Sequence, residues 1–79
     1  MMFKIWIDEI DLLILKEVLK LGERANGNKI YTKTPLSYST ISSRIRKLIR
    51  YGLLVESGSK SGRRVMITKK GMNLLKIFQ

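Results

Sequence analysis

Residues 36–52, LSYSTISSRIRKLIRYG, carry small hydroxyl side chains at the front and cations behind them, threaded by isoleucines and a leucine. Ile41, Ile45, Leu48 and Ile49 recur at helical spacing and make one apolar stripe, which predicts an amphipathic helix. Ser37 is placed to cap its N-terminus, and Gly52 to end it. With the stripe turned inward, the opposite arc holds Ser39, Thr40, Ser43, Arg46, Lys47 and Arg50, with Ser42 and Arg44 at its margins. The outward surface is thus hydroxyl first and cationic behind.

Working outward, the segment before this helix divides in two. In IDEIDLLILKEVLKLG, Ile10, Leu13, Ile14, Val18 and Leu21 follow the helical period, Asp8 suits the N-cap with Asp11 three residues on, and Gly22 is a stop. Leu12, Leu15 and Leu19 fall on a second face of the same helix, and a helix apolar on two sides needs two neighbours. ERANGNKIYTKTP fits either one short helix or an extended KIYT, with Pro35 driving Thr34 out of the helical region. Downstream, LLVES and RRVMIT flank the five-residue GSKSG and read as a β-hairpin with a basic tip. In KKGMNLLKIFQ the apolar residues predict a short closing helix that Gly71 weakens or delays.

Charge is uneven along the chain. Residues 1–23 hold five acids and three lysines, a net of −2, whereas residues 24–79 hold thirteen cations and only Glu56, a net of +12, which together give +10. A basic body behind a near-neutral first helix suggests two surfaces with different partners, one of them polyanionic. No acid lies between Glu23 and Glu56 in the sequence. The cations at Arg44, Arg46, Lys47 and Arg50 are therefore expected to lack carboxylate partners, although a merely solvated cationic face is the plainer alternative.

Several function classes are made remote. With neither cysteine nor histidine, the chain lacks thiolate chemistry, the commonest general base and the commonest metal ligands. We expect no enzyme activity, no catalytic residue, no metal site and no cofactor. Asp8, Glu9 and Asp11 resemble a carboxylate cluster, but capping and dipole complementation at a helix start explain them more simply. The chain has no run of about 18 apolar residues and no signal-peptide pattern, so an intracellular protein without a membrane partner is expected. Seventy-nine residues predict one domain over 1–79 with a thin core.

LSYSTISSRIRKLIRYGLLVE followed by GSKSGRRVMITKKG resembles the second half of a winged helix-turn-helix, in particular MarR-type regulators and the small winged-helix proteins carried by archaeal viruses and plasmids. The shared pattern is a Leu-Ser capped helix, a helix-ending Gly-Leu, an arginine-bearing hairpin and a threonine-lysine-glycine entry to the next helix, over about residues 36–71. It departs at Ser43, where arginine is frequent, at Tyr31, where a small residue is frequent, and at Pro35, where glycine is frequent. The resemblance implies an α+β fold with a three-helix core, a two-stranded wing and a C-terminal helix. It also implies a recognition helix bearing Ser37, Tyr38, Ser39, Thr40, Ser43, Arg44, Arg46, Lys47 and Arg50 in the major groove, and a wing contacting DNA through Lys60, Ser61, Arg63 and Arg64.

The expected function is that of a sequence-specific double-stranded DNA binder regulating transcription, as a repressor. The alternatives are a non-specific architectural or replication-associated nucleic-acid protein and a winged helix that docks on proteins. The surplus of apolar residues at Ile5, Trp6, Leu12, Leu15, Leu19, Ile77 and Phe78 predicts a homodimer interface, the competing explanation being a C-terminal helix folded back over Leu12, Leu15 and Leu19 within one chain, and so short a chain leaves no room for a separate small-molecule effector domain.

Overall fold

The computed structural model describes residues 7–59 and 62–78. Its elements are α1 (Glu9–Leu21), a 3₁₀ turn (Gly22–Arg24), α2 (Gly27–Lys33), α3 (Tyr38–Arg50), β1 (Leu54–Ser59), β2 (Gly62–Ile67) and α4 (Lys69–Ile77). This is the expected α+β order of three helices, a hairpin and a closing helix. Among the described residues no helix is long and apolar enough to cross a membrane.

Each helix starts on the side chain that the sequence offers for it. Asp8 accepts from the Asp11 amide at 2.9 Å while Asp11 accepts from the Asp8 amide at 3.2 Å, a reciprocal capping box. Asn26 accepts from the Lys29 amide, Ser37 from the Thr40 amide and Thr68 from the Gly71 amide. The Asn26 cap resolves the open segment in favour of a short helix, and Thr34 leaves it in an extended conformation ahead of Pro35. Gly22 and Gly52 take positive φ at the ends of α1 and α3, where a side chain would be strained.

The core is one cluster. Ile14, Leu15 and Val18 of α1, Ile30 of α2, Ile41, Ile45 and Leu48 of α3, and Leu53, Leu54, Val65 and Leu75 are all buried in it. Helix α1 lies at its centre and packs against α2, α3, β2 and α4. That arrangement corrects the expectation for Leu15, which is completely buried within the chain instead of lying on a surplus face. Leu12 is half-buried against the same core. Leu19, Ile77 and Phe78 remain exposed, at 45, 74 and 55 %; Ile5 and Trp6 lie outside the described residues.

The hairpin is antiparallel with Leu54 opposite Ile67 and Glu56 opposite Val65, and pairing continues to Ser59 opposite Gly62. The five-residue turn expected from GSKSG is therefore shorter, because residues at both its ends join the ladder. Lys60 and Ser61, the expected wing tip, lie outside the described residues. The Val65 amide also donates to the Ala25 carbonyl at 3.0 Å, tying the hairpin to the segment between α1 and α2.

Gly71 neither delays nor ends α4, since the helix begins at Lys69. The reason for glycine is space. A Cβ there would sit 2.4 Å from the Leu53 carbonyl oxygen and 2.8 Å from Ile67 Cγ1. Gly71→Ala is expected to cost about 2–3 kcal/mol despite alanine's better helix propensity, read as a lower urea midpoint at unchanged slope.

Candidate nucleic-acid interface

Helix α3 presents its expected stripe inward, with Ile41, Ile45 and Leu48 buried and Ile49 half-buried. Its remaining circumference divides into three strips.

The outermost strip carries Ser39, Ser43, Arg46 and Arg50, all exposed. Among the described residues neither arginine has a carboxylate within ion-pairing distance. Ser37 and Thr40, also expected on this face, are taken up by the cap: the Ser37 hydroxyl donates to Thr40 Oγ1 at 2.9 Å while accepting from the Thr40 amide. Ser39 and Ser43 are thus the hydroxyls that point outward.

The second strip faces α1. Here Arg44 Nη1 donates to Asp8 Oδ2 at 2.5 Å and lies 3.3 Å from Asp11 Oδ1, and Lys47 Nζ donates to Asp11 Oδ2 at 2.6 Å. This corrects the expectation that the cations of α3 have no carboxylate partners, and it removes Arg44 and Lys47 from the outward arc. Both are only 26 % exposed. Acid and base are 36 residues apart, so no local charge pattern could pair them. The Arg44 guanidinium beside Asp8 holds that carboxyl at about 2, and Asp8 in turn raises Arg44. Asp11 is fully buried, and its Oδ1 has no hydrogen-bond donor despite the nearby guanidinium.

The third strip, Tyr38, Ser42 and Ile49, turns toward the hairpin across an open groove of about 520 Å³. Arg46 of α3, Arg63 of β2 and the start of α2 all line it. Arg63 projects toward α3 while Arg64, next along the strand, points to the opposite face, as alternation requires. Glu56 also lines the groove and lies 3.6 Å from Arg63. Because the Arg63 side chain is 75 % exposed, this pair holds it weakly. Tyr38 packs edge-on to Tyr31, ring centroids 6.0 Å apart, and its hydroxyl would lie 3.3 Å from a Cβ at Gly27. The groove's contributions from Asn26, Gly27 and Glu56 have no signal in the sequence of α3, because each belongs to another element.

The profile of the winged helix DNA-binding domain matches residues 8–71. No curated protein matches the chain. Among solved structures, a MarR family protein from Bacillus stearothermophilus superposes with a TM-score of 0.80 at 20 % identity, covering 90 % of this chain and 50 % of that one. A protein from Thermoplasma volcanium GSS1, described as a possible HxlR family transcriptional factor, superposes at 0.80 with 27 % identity, covering 91 % of this chain and 66 % of that one. A winged-helix DNA-binding protein from STIV superposes at 0.77 with 22 % identity, covering 92 % of this chain and 86 % of that one. The chain thus spans about half the length of the MarR family structure that it resembles.

The two charged strips of α3 differ in what they do for stability. Lys47→Ala strips the buried Asp11 of its closest cation and is expected to lower unfolding free energy by about 3 kcal/mol. Arg46→Ala, on the outward strip, is expected to change it by no more than about 0.5 kcal/mol. Chemical denaturation of the two variants side by side checks this.

Proposed function

Because the chain belongs to the winged helix DNA-binding domain family, we propose that it is a sequence-specific double-stranded DNA-binding regulator of transcription, acting as a repressor with α3 in the major groove and the hairpin on the neighbouring backbone. The observation that carries this reading is the outward strip of α3: short hydroxyls at Ser39 and Ser43 near the helix N-terminus and arginines at Arg46 and Arg50 behind, without carboxylate partners among the described residues. A recognition helix uses short donors and acceptors where it approaches base edges, and long cations where it reaches guanine or phosphate. Arg46 and Arg63, both lining the groove, suit a phosphate backbone passing between helix and wing.

Base discrimination is assigned to Ser39, Ser43 and Arg46, and sequence-independent affinity to Arg50 and Arg63, with Arg64 on the other face of the strand. Selection from random duplexes at fixed salt is the direct test. A regulator should enrich one site and bind it about 10³-fold or more above unrelated DNA. An architectural or replication-associated protein would show little preference, and a protein-docking winged helix would not bind duplexes at all. Ser43→Ala should alter site preference more than overall affinity. Arg63→Ala with Arg64→Ala should weaken all sequences and flatten the salt slope by about 0.9 for each phosphate that is no longer neutralised.

The protein is further proposed to act as a homodimer. With Leu15 buried, the expected interface residues that are exposed among the described residues are Leu19 of α1 and Ile77 and Phe78 at the end of α4. A two-fold dimer would set two recognition helices about 34–36 Å apart, one duplex turn, and read a palindrome. Sedimentation equilibrium at micromolar concentration is expected to give twice 9.1 kDa, and Ile77→Glu is expected to return the protein to a monomer without unfolding it. We further propose that occupancy follows protein concentration and that no small-molecule effector is needed.

A further inference from the structure

We propose that Asp8 is a specificity-determining residue that never touches DNA: together with Asp11 it withdraws Arg44 and Lys47 from the phosphate backbone and so fixes one edge of the DNA footprint on α3. The inference rests on the DNA-binding reading above. Of the four cations on α3, two lie within 2.6 Å of a carboxylate oxygen from the start of α1, and two point outward.

The withdrawn pair and the outward pair would act differently on a duplex. A cation that touches only phosphate adds affinity for every sequence alike, whereas a side chain at a base edge adds it for one. Arg44 and Lys47 flank the outward strip on the side that faces α1, away from the groove between α3 and the hairpin. Left without partners they would raise binding to all duplexes and dilute the preference set by Ser39, Ser43 and Arg46. Asp8 is the adjustable member of the clamp. Asp11 is sealed in the core and also serves the capping box, while the Asp8 side chain is 51 % exposed and uses Oδ2 for Arg44 alone, leaving Oδ1 for the Asp11 amide. Glu9, exposed on the same turn, adds negative charge at this edge and disfavours the approach of phosphates.

Asp8→Asn separates the two tasks. Asparagine caps a helix about as well as aspartate, so the Asp11 amide keeps its acceptor while Arg44 loses the nearer of its two counter-charges, the exposed one. Asp8→Ser repeats the test with a second capping residue, and thermal melts verify folding of both. Titrations of a selected site and of an unrelated duplex are run from low to high salt on wild type, both variants, and Asp8→Asn with Arg44→Gln.

If the clamp operates, Asp8→Asn binds unrelated DNA on the order of fivefold more tightly at about 0.1 M salt, and its salt slope steepens by about 0.9, as one further neutralised phosphate requires. The ratio of specific to non-specific affinity falls, and adding Arg44→Gln restores wild-type values. Folded variants with wild-type slope and ratio overturn the clamp, as does tighter binding that survives Arg44→Gln, since it then does not act through Arg44. Failure of the wild type to bind any duplex would instead overturn the DNA-binding reading, and the clamp with it.

Discussion

A carboxylate completely removed from water sits where the first and third helices meet, and the geometry of the proposed reading surface depends on it. Asp11 takes a hydrogen bond from Lys47, another from the Asp8 amide, and has the Arg44 guanidinium alongside. Desolvating such a group is costly by several kcal/mol, and its attraction to two cations offsets that only in one relative placement of the helices. An apolar contact between the same helices would tolerate some rotation. The ionic one selects a roll angle for α3, and that angle decides which four side chains face outward.

The same interaction resolves a difficulty of composition. The chain carries a net charge of +10 on 79 residues, a density that favours polyanions indiscriminately. Placing scarce acids beside two of the cations on α3 leaves Arg46 and Arg50 as the outward positive charge of that helix. The charge is thus shaped as well as large.

Local patterns carry most of the architecture. Ser37, Asp8 and Gly22 are capping residues whose action reaches three or four positions along the chain, and the stripe from Ile41 to Ile49 repeats within one helix; such signals lie in any short window of sequence. What cannot be read there depends on elements distant along the chain. A helical projection puts Leu15 on a second apolar face but cannot say what covers it, whereas α1 is surrounded by α2, α3, β2 and α4 of its own chain. The same projection puts Lys47 on the DNA-facing arc and Arg44 at its margin because their partners stand 36 positions away. Gly71 reads locally as a weak helix former. Only the approach of the Leu53 carbonyl shows why a smaller loss in propensity is accepted to avoid a larger steric one.

The far end of α3 has its own attachments, and they tie it to α4. Thr68 Oγ1 donates to the Gly52 carbonyl at 2.7 Å, the Thr68 amide to the Leu53 carbonyl at 3.1 Å, and Lys70 Nζ to the Tyr51 carbonyl at 2.9 Å. With Gly71 pressed against Leu53, the start of α4 grips the end of α3 with almost no slack. A force applied to the exposed tip of α4, at Ile77 or Phe78, would therefore reach the turn after α3 through one backbone hydrogen bond and two from the side chains of Thr68 and Lys70, as well as α1 and β2, on which α4 packs. Helix α3 is held by charge at one flank and, through the turn that follows it, by hydrogen bonds at its tail.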